Sequence, residues 1–227
     1  MINKTPMIER KFDMRYNTVI FDLDGTLLNT IDDLSDSLNE VLFQYKHSTI
    51  SVDEVRRFVG NGARNLVRQS VPEHCSEEEV TLIFEDFKKA YKSNMQNKTR
   101  PYNGIMELLL DLNRYNYKIA IVSNKFDTAV KSLANFYFGN LVTVAIGESN
   151  EIKRKPAPDS IFTAVQELGS DLHHAIMVGD SETDVRTAKN AGIPCVGVTW
   201  GFRSREVLRS EGADYLIDTP REILTII

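Results

Sequence analysis

VIFDLDGTLLNT, residues 19–30, is the stretch that decides the fold. An apolar run of strand length ends in two carboxylates, Asp22 and Asp24, which are separated by one leucine and followed by a glycine and a threonine. Because side chains alternate along a strand, both carboxylates leave its end on the same side. At about 4 Å and an effective dielectric near 20, such a pair repels by roughly 4 kcal/mol. A cation, a proton or basic neighbours must offset this repulsion.

After residue 104 the sequence alternates apolar runs of strand length with segments of helical periodicity. The apolar runs are KIAIVS, LVTVAIG, AIMVGD, PCVGVTW and DYLI, which begin at residues 118, 141, 175, 194 and 214. This alternation is typical of a parallel sheet covered by helices, and the opening strand belongs to the same sheet. We therefore predict an α/β, Rossmann-like fold with helices on both faces.

The segment between the first two strands has helical periodicity throughout, so a helical insertion is predicted after the first strand. We predict an N-terminal extension over residues 1–17, an α/β core formed by residues 18–29 and 100–227, and a small helical cap over residues 30–99. Met7 and Met14 leave a later start open. Thr30 is expected to cap the first helix, with Asp33 complementing its N-terminal amides.

The composition excludes several classes of protein. The 227 residues are 42% hydrophobic, and 27 basic and 32 acidic residues give a net charge of -5, so neither nucleic acid nor an anionic membrane is expected as a partner. The first seventeen residues lack the apolar region of a signal peptide, and no run approaches the ~20 apolar residues of a membrane span. Cys75 and Cys195 have no CxxC spacing and no histidine framework, which favours free thiols in the cytoplasm.

The residues that follow the strands are the candidates for a site, because open parallel sheets bind ligands where their strands end. They include two pairs of aspartates, a serine, an asparagine and a lysine from a nearby loop: Asp22, Asp24, Asp180, Asp184, Ser123, Asn124 and Lys155. Carboxylates clustered without Cys or His suit a hard cation such as Mg²⁺, which is commonly shared with a substrate phosphate.

A bound phosphate also explains smaller residues near the first strand. Gly25 allows the backbone amides after Asp24 to turn inward, while Thr26, Ser123 and Lys155 can donate hydrogen bonds to phosphate oxygens. A carboxylate nucleophile can divide phosphoryl transfer into two steps through an acyl phosphate.

Four motifs in order resemble those of the haloacid dehalogenase-like hydrolase superfamily: DLDGTLLNT, IVSNK, KRKPAP and VGDSETDVRTAKNAG. The helical insertion resembles the small α-helical cap of that superfamily. Within it, the last motif and the cap turn VGNGARNLV, residues 59–67, are most similar to phosphoglycolate phosphatases. The resemblance covers nearly all of the chain after residue 17.

The resemblance implies a role for each matching residue. Asp22 would be the nucleophile, and Asp24 would protonate the leaving oxygen and then activate water. Mg²⁺ would be held by Asp180, Asp22 and the backbone carbonyl of Asp24, with Asp184 in direct or indirect support. Ser123, Asn124, Thr26 and Lys155 would bind the phosphoryl group. In the cap turn, Asn61 and Arg64 are expected to recognise an anionic substrate group on closure.

Each of these residues also has a purely structural interpretation. The two aspartates at the first strand could form a capped turn, and Ser123 and Asn124 could be turn residues. Lys155 and Arg64 could be solvated surface side chains. Thr26 could satisfy the backbone of its turn, and Asp184 could act only at a helix N-terminus.

The resemblance predicts a phosphatase that acts on a small anionic phosphomonoester, with 2-phosphoglycolate as the best single substrate. Dehalogenating relatives lack an acid at the position of Asp24, and phosphonate-cleaving relatives need a cap lysine, whereas no lysine occurs between Lys46 and Lys88. Pyrophosphatase, nucleotide or sugar-phosphate phosphatase, β-phosphoglucomutase-like mutase and non-catalytic phosphate binding stay open. The chain is expected to act as a monomer or homodimer.

Overall fold

Buried apolar strands form the centre of the structure, a computed structural model that describes residues 15–227. Six strands make one parallel sheet, namely β1 Thr18–Phe21, β4 Lys118–Phe126, β5 Val144–Glu148, β6 Ala175–Gly179, β7 Cys195–Val198 and β8 Tyr215–Ile217. Their order across the sheet is β5-β4-β1-β6-β7-β8. All six correspond to predicted strands, which confirms the α/β fold.

Alternation along the strands divides the core into two apolar layers, one on each face of the sheet. Val19 and Phe21 of β1 belong to one layer, whereas Ile20 between them belongs to the other. The helices of this part of the chain are α5 Ile105–Arg114, α6 Asp127–Phe138, α7 Asp159–Glu167, α8 Glu182–Ala191 and α9 Arg205–Glu211. Within residues 15–227, no helix combines the length and apolarity that a membrane crossing requires.

Four further helices form the predicted insertion after β1. They are α1 Ile31–Gln44, α2 Val52–Phe58, α3 Ala63–Ser70 and α4 Glu77–Asn94. Ser51 begins α2 with a capping box to Glu54, and Ser76 caps α4. The chain enters and leaves the insertion through a short antiparallel ribbon that the sequence did not predict, formed by β2 Leu28–Asn29 and β3 Arg100–Pro101.

Two predicted capping contacts at the start of α1 are wrong. Thr30 occupies the N-cap position, but its hydroxyl donates to Asp24 rather than accepting from the helix. Asp33 is buried and accepts hydrogen bonds from the backbone N–H groups of Lys98 and Thr99 at 2.8–3.0 Å. Both side chains therefore bind partners outside α1 instead of capping it. Through its contacts with Lys98 and Thr99, Asp33 links the start of the insertion to its end.

Most of the predicted N-terminal extension, residues 1–14 with Met7 and Met14, lies outside the described residues. The end of the predicted segment packs against the sheet, since Tyr16 is buried and the Asn17 N–H donates to the carbonyl of His174. The Asn17 carbonyl accepts from the N–H of Lys118, which starts β4. Asn17 therefore extends the pairing of β1 with its neighbours.

Candidate active site

The two aspartates after β1 lie between the ends of β4 and β6, at the edge of the sheet predicted to bind ligands. The Asp22 N–H donates to the carbonyl of Val178 at the end of β6. Asp22, Ser123 and Asp180 are buried and line one cavity together with Asp24. The strand order therefore brings together residues that are far apart in sequence.

Lys155 is the cation that faces Asp22. Its ammonium is buried and donates to Asp22 Oδ1 at 2.7 Å, to Asp184 Oδ1 at 2.6 Å and to the carbonyl of Val122 at 3.1 Å. Burial by itself lowers the pKa of Lys155, but attraction to Asp184 and Asp22 outweighs burial and holds that pKa above its ordinary value. Lys155 therefore stays charged and offsets the carboxylates around it.

Asp180 is held by a close approach of two loops. Its Oδ1 accepts from the Thr26 hydroxyl at 3.2 Å, and its Oδ2 accepts from the Phe202 N–H at 2.6 Å. A Cβ on Gly25, which has φ 90°, would lie 2.3 Å from Asp180 Oδ2, and a Cβ on Gly201 would lie 2.3 Å from Asp180 Cβ. Glycine is therefore required at both positions, and Thr26 orients a carboxylate in this structure.

Asp184 has both carboxylate oxygens engaged. Its Oδ2 accepts from the N–H and hydroxyl of Ser181 in a capping box that starts α8, and its Oδ1 accepts from Lys155. Asp184 therefore caps α8, as its structural interpretation predicted, and it also orients the lysine of the site.

Burial raises the pKa of Asp22 to about 7, with Lys155 opposing the rise and Asp184 and Asp24 adding to it. Burial also raises the pKa of Asp180 well above its usual range, and the charges of Asp22 and Asp184 add to that effect. An opposite charge within about 4–6 Å would reverse both shifts, since it favours the carboxylate form. The carboxylates of Asp22 and Asp180 are therefore suited to bind a cation.

The donor atoms of Asp22, Asp180 and Asp184 all lie within 4.8 Å of one another. All three donors are carboxylate oxygens, the ligand type that Mg²⁺ prefers. The carboxylates of Asp22 and Asp180 keep lone pairs for an ion, whereas Asp184 is already committed to Ser181 and Lys155. The residues present therefore fit a Mg²⁺ ion held mainly by Asp22 and Asp180.

Lys125 is a site residue that the sequence analysis missed. Its buried ammonium donates to Asp24 at 2.9 and 3.0 Å and lies 4.4 Å from the centre of the Tyr91 ring. Thr30 donates to the same carboxylate at 2.7 Å. Strand alternation could have predicted this position. Lys125 lies two residues after Ser123 and leaves the end of β4 on the same side, just as Asp24 lies two residues after Asp22.

Ser123 and Asn124 have different roles in the structure. Ser123 lines the cavity, and its hydroxyl accepts only the Lys125 N–H, at 3.3 Å, among the described contacts. The Asn124 amide accepts from the Lys155 N–H and donates to the carbonyls of Lys155 and Gly60. Ser123 is thus available to a ligand, whereas the side chain of Asn124 positions the loop of Lys155.

The turn between α2 and α3 closes the cavity from the side of the insertion. Gly60, Gly62 and Ala63 line the cavity, and no side chain within the described part of the chain caps the N-terminus of α3. Asn61 lies in the same turn, but its side-chain oxygen accepts from Thr183 at 3.5 Å. The backbone of this turn, rather than the Asn61 side chain, faces the site.

Arg64 is not brought to the cavity. Its guanidinium donates to Glu77 at 2.7 Å and to Thr81 at 3.0 Å on the exposed surface of the insertion. Arg203, which the sequence analysis did not single out, lies at the cavity instead. It donates to the carbonyls of Arg56, Arg57 and Val59 at the end of α2, at 2.7–3.3 Å, and to Glu182 at 2.9 Å.

Comparison with known proteins identifies the family of this fold and site. Residues 19–198 match the family described as haloacid dehalogenase-like hydrolase. The chain is 35% identical over 200 residues to a phosphoglycolate phosphatase of Mesorhizobium japonicum, covering 85% of this chain and 87% of the relative. It is 30% identical over 223 residues to one of Caulobacter vibrioides, covering 95% and 94%.

A solved structure of a predicted phosphoglycolate phosphatase from Haemophilus somnus superimposes with a TM-score of 0.88 and 28% identity, covering 95% of this chain and 99% of that one. The fold, the order of the motifs and the sequence relatives agree. The chain belongs to the haloacid dehalogenase-like hydrolase family.

Proposed function

We propose that this hydrolase is a Mg²⁺-dependent phosphatase that cleaves a small anionic phosphomonoester through an aspartyl-phosphate intermediate, with 2-phosphoglycolate as the preferred substrate. The observation that carries the proposal is the buried Asp22, which lies 2.7 Å from the Lys155 ammonium beside Asp180 and Asp24 in one cavity. Relatives named phosphoglycolate phosphatase support the choice of substrate.

In the first step, a carboxylate oxygen of Asp22 attacks phosphorus, and the bond between phosphorus and the leaving oxygen breaks. Asp24 gives its proton to that oxygen, which departs as an alcohol. In the second step, Asp24 takes a proton from water, the water oxygen bonds to phosphorus, and the bond to Asp22 breaks to release phosphate. Lys125 and Thr30 hold the Asp24 carboxylate in place for both transfers.

The transferred phosphoryl group needs donors for its oxygens. Lys155 supplies a buried charge, and the Ser123 hydroxyl lies in the same cavity. Mg²⁺ would be held by Asp22, Asp180 and the backbone carbonyl of Asp24, with Asp184 acting through Lys155, and when bound it would neutralise phosphoryl charge. Asp180 is held in position for this role by Thr26 and Phe202.

The cavity favours a compact substrate with a second anionic group. It lies between the ends of the strands and the turn between α2 and α3, an arrangement that suits a small phosphomonoester better than a nucleotide. The uncapped amides at the start of α3 are available to a carboxylate in this cavity. Residues 30–99 would act as a cap over a core of residues 18–29 and 100–227.

Free buried thiols at Cys75 and Cys195 support a cytoplasmic location for this enzyme. A small phosphorylated metabolite is the proposed partner.

The test is phosphate release by the purified chain with Mg²⁺ over a panel of 2-phosphoglycolate, pyrophosphate, nucleotides and sugar phosphates. We expect a strong preference for 2-phosphoglycolate, loss of turnover in Asp22→Asn, and normal turnover in Asp32→Asn, which alters an exposed carboxylate outside the site. Turnover by Asp22→Asn would contradict the nucleophile assignment. Sugar-phosphate interconversion without phosphate release would replace hydrolysis by a mutase reaction.

A further inference from the structure

Nitrogen, sulfur and oxygen donors meet on the helical insertion, apart from the residues that line the catalytic cavity. His47 follows the end of α1, Cys75 precedes α4, and Glu79 lies in the first turn of α4. His47 Nε2 lies 3.1 Å from Glu79 Oε1, and one donor atom from each of the three residues lies within 4.8 Å of the others.

The backbone around each of these side chains is anchored. The His47 N–H donates to the carbonyl of Leu42 at 2.9 Å, in the turn that follows α1 and contains Lys46 at φ 60°. The Cys75 N–H donates to the carbonyl of Pro72 at 3.0 Å, and the Glu79 N–H donates to the Ser76 hydroxyl at 3.2 Å. The helix ends that carry the donors are therefore fixed before any ligand arrives.

The exposure of the group leaves an entry route. The Cys75 residue is 7% exposed, whereas the side chains of His47 and Glu79 are 15% and 40% exposed. Without a metal, Glu79 is the shared hydrogen-bond partner of the His47 imidazole and the Cys75 thiol, and a bound metal would replace both contacts. No histidine framework is visible in the sequence because His47 reaches Cys75 only through the packing of α1 against α4.

The chemistry of the donors selects a class of metal. Imidazole, thiolate and carboxylate together suit Zn²⁺ and similar transition metals, whereas the all-oxygen group in the cavity suits Mg²⁺. A tetrahedral zinc ion holds its ligands about 3.5 Å apart, so small rotations of Cys75 and Glu79 would complete the set.

We propose that His47, Cys75 and Glu79 form a transition-metal site for Zn²⁺ that clamps the end of α1 to the start of α4. The metal takes Cys75 as a thiolate, and the thiol proton passes to solvent. His74, exposed beside Cys75, is available for the fourth position. A metal that binds only the folded insertion raises the stability of that insertion.

The test uses Co²⁺ and Zn²⁺ added to the full-length, metal-stripped chain. A thiolate-to-cobalt charge-transfer band is expected in the wild type, with displacement by Zn²⁺ and loss of the band in Cys75→Ser. Because the catalytic cavity has no cysteine in its lining, this band does not report Co²⁺ bound there. Cys195→Ser, which removes the other buried thiol, is the matched control and should keep the band.

His47→Gln changes a partly buried residue and serves if Cys75→Ser does not fold. We expect it to weaken Zn²⁺ binding at least about tenfold and to abolish the rise in melting temperature that Zn²⁺ causes in the wild type. A charge-transfer band that survives in Cys75→Ser, no thiolate band in the wild type at saturating Co²⁺, or unchanged Zn²⁺ affinity in His47→Gln would each overturn the proposal.

Discussion

At the scale of single residues, the site is a balance between buried carboxylates and buried ammonium groups. Lys155 faces Asp22 and Asp184, and Lys125 faces Asp24. Burying an unpaired charge costs several kcal/mol, so each buried lysine must lie within ion-pair distance of the aspartates that it neutralises. The repulsion that the Asp-Leu-Asp spacing predicts is therefore offset by two lysines as well as by any bound cation.

The raised pKa of Asp22 gives the metal-free protein a defined pH dependence. Because this pKa rises from 3.8 in the unfolded chain to about 7, the folded state binds more protons between these values. The free energy of unfolding therefore falls as pH rises through that window, by an amount on the order of a few kcal/mol. Urea unfolding in EDTA at pH 5 and pH 8 measures the fall, and we expect Asp22→Asn to reduce it.

Saturating Mg²⁺ should also reduce this pH dependence in the wild type, because a cation favours the charged carboxylate. An Asp22→Asn protein whose stability falls with pH as steeply as that of the wild type would contradict the assignment of the effect to Asp22.

Lys125→Met should lower kcat by about ten- to a hundredfold, because Asp24 loses the ammonium that positions it for proton transfer. Lys125→Arg should restore part of the activity, since charge and reach are kept. Lys131→Met removes an exposed lysine paired with Asp127 and provides the matched control. Steady-state kinetics with the preferred substrate measures all three, and equal kcat in Lys125→Met and Lys131→Met would contradict the positioning role.

At the scale of elements, loops from the sheet hold the turn between α2 and α3 by its carbonyl groups. Arg203 binds the end of α2, Asn124 binds Gly60, and Arg154 donates to the Asn61 carbonyl at 3.2 Å. Backbone carbonyls accept these bonds, so the contact depends on the shape of the turn more than on its side chains. Sequence patterns could not predict these contacts, because every residue type offers the same backbone carbonyl as an acceptor.

Arg203→Ala should destabilise the closed arrangement of the insertion by about 1–3 kcal/mol, because several α2 carbonyls lose their donor. This corresponds to a roughly 5- to 150-fold shift in the opening equilibrium. We expect a higher KM and faster trypsin cleavage at Arg57 and Arg64. Arg209→Ala, which alters an exposed residue of α9, is the control. Cleavage at the control rate would show that Arg203 does not hold the turn.

The predictions made from sequence succeeded where one local pattern decided the result. Strand alternation placed Asp22 and Asp24 together, and the rule that parallel strands end at one edge of the sheet placed Asp180 beside them. Predictions failed where distant partners competed for a side chain. Thr30 serves Asp24, and Asp33 serves the chain returning from the insertion, so neither forms the helix-capping contact that its position suggests.

At the scale of the whole molecule, binding of Mg²⁺ should stabilise the folded chain. At about 100 times its dissociation constant, a ligand of the folded state adds roughly 2.7 kcal/mol. For a chain of this size that corresponds to a rise of about 5–10 °C in melting temperature. Thermal unfolding with and without Mg²⁺ measures the rise, and we expect Asp180→Asn to lose most of it. The same rise in Asp180→Asn as in the wild type would contradict a metal role for Asp180.

The ribbon of β2 and β3 makes the insertion a module. Its strands pair directly, with Asn29 opposite Arg100, so the chain leaves the sheet and returns to it at one place. Paired strands lie about 5 Å apart, a gap that a two-residue turn can bridge. The segment between them can therefore be excised or exchanged for another without rethreading the sheet.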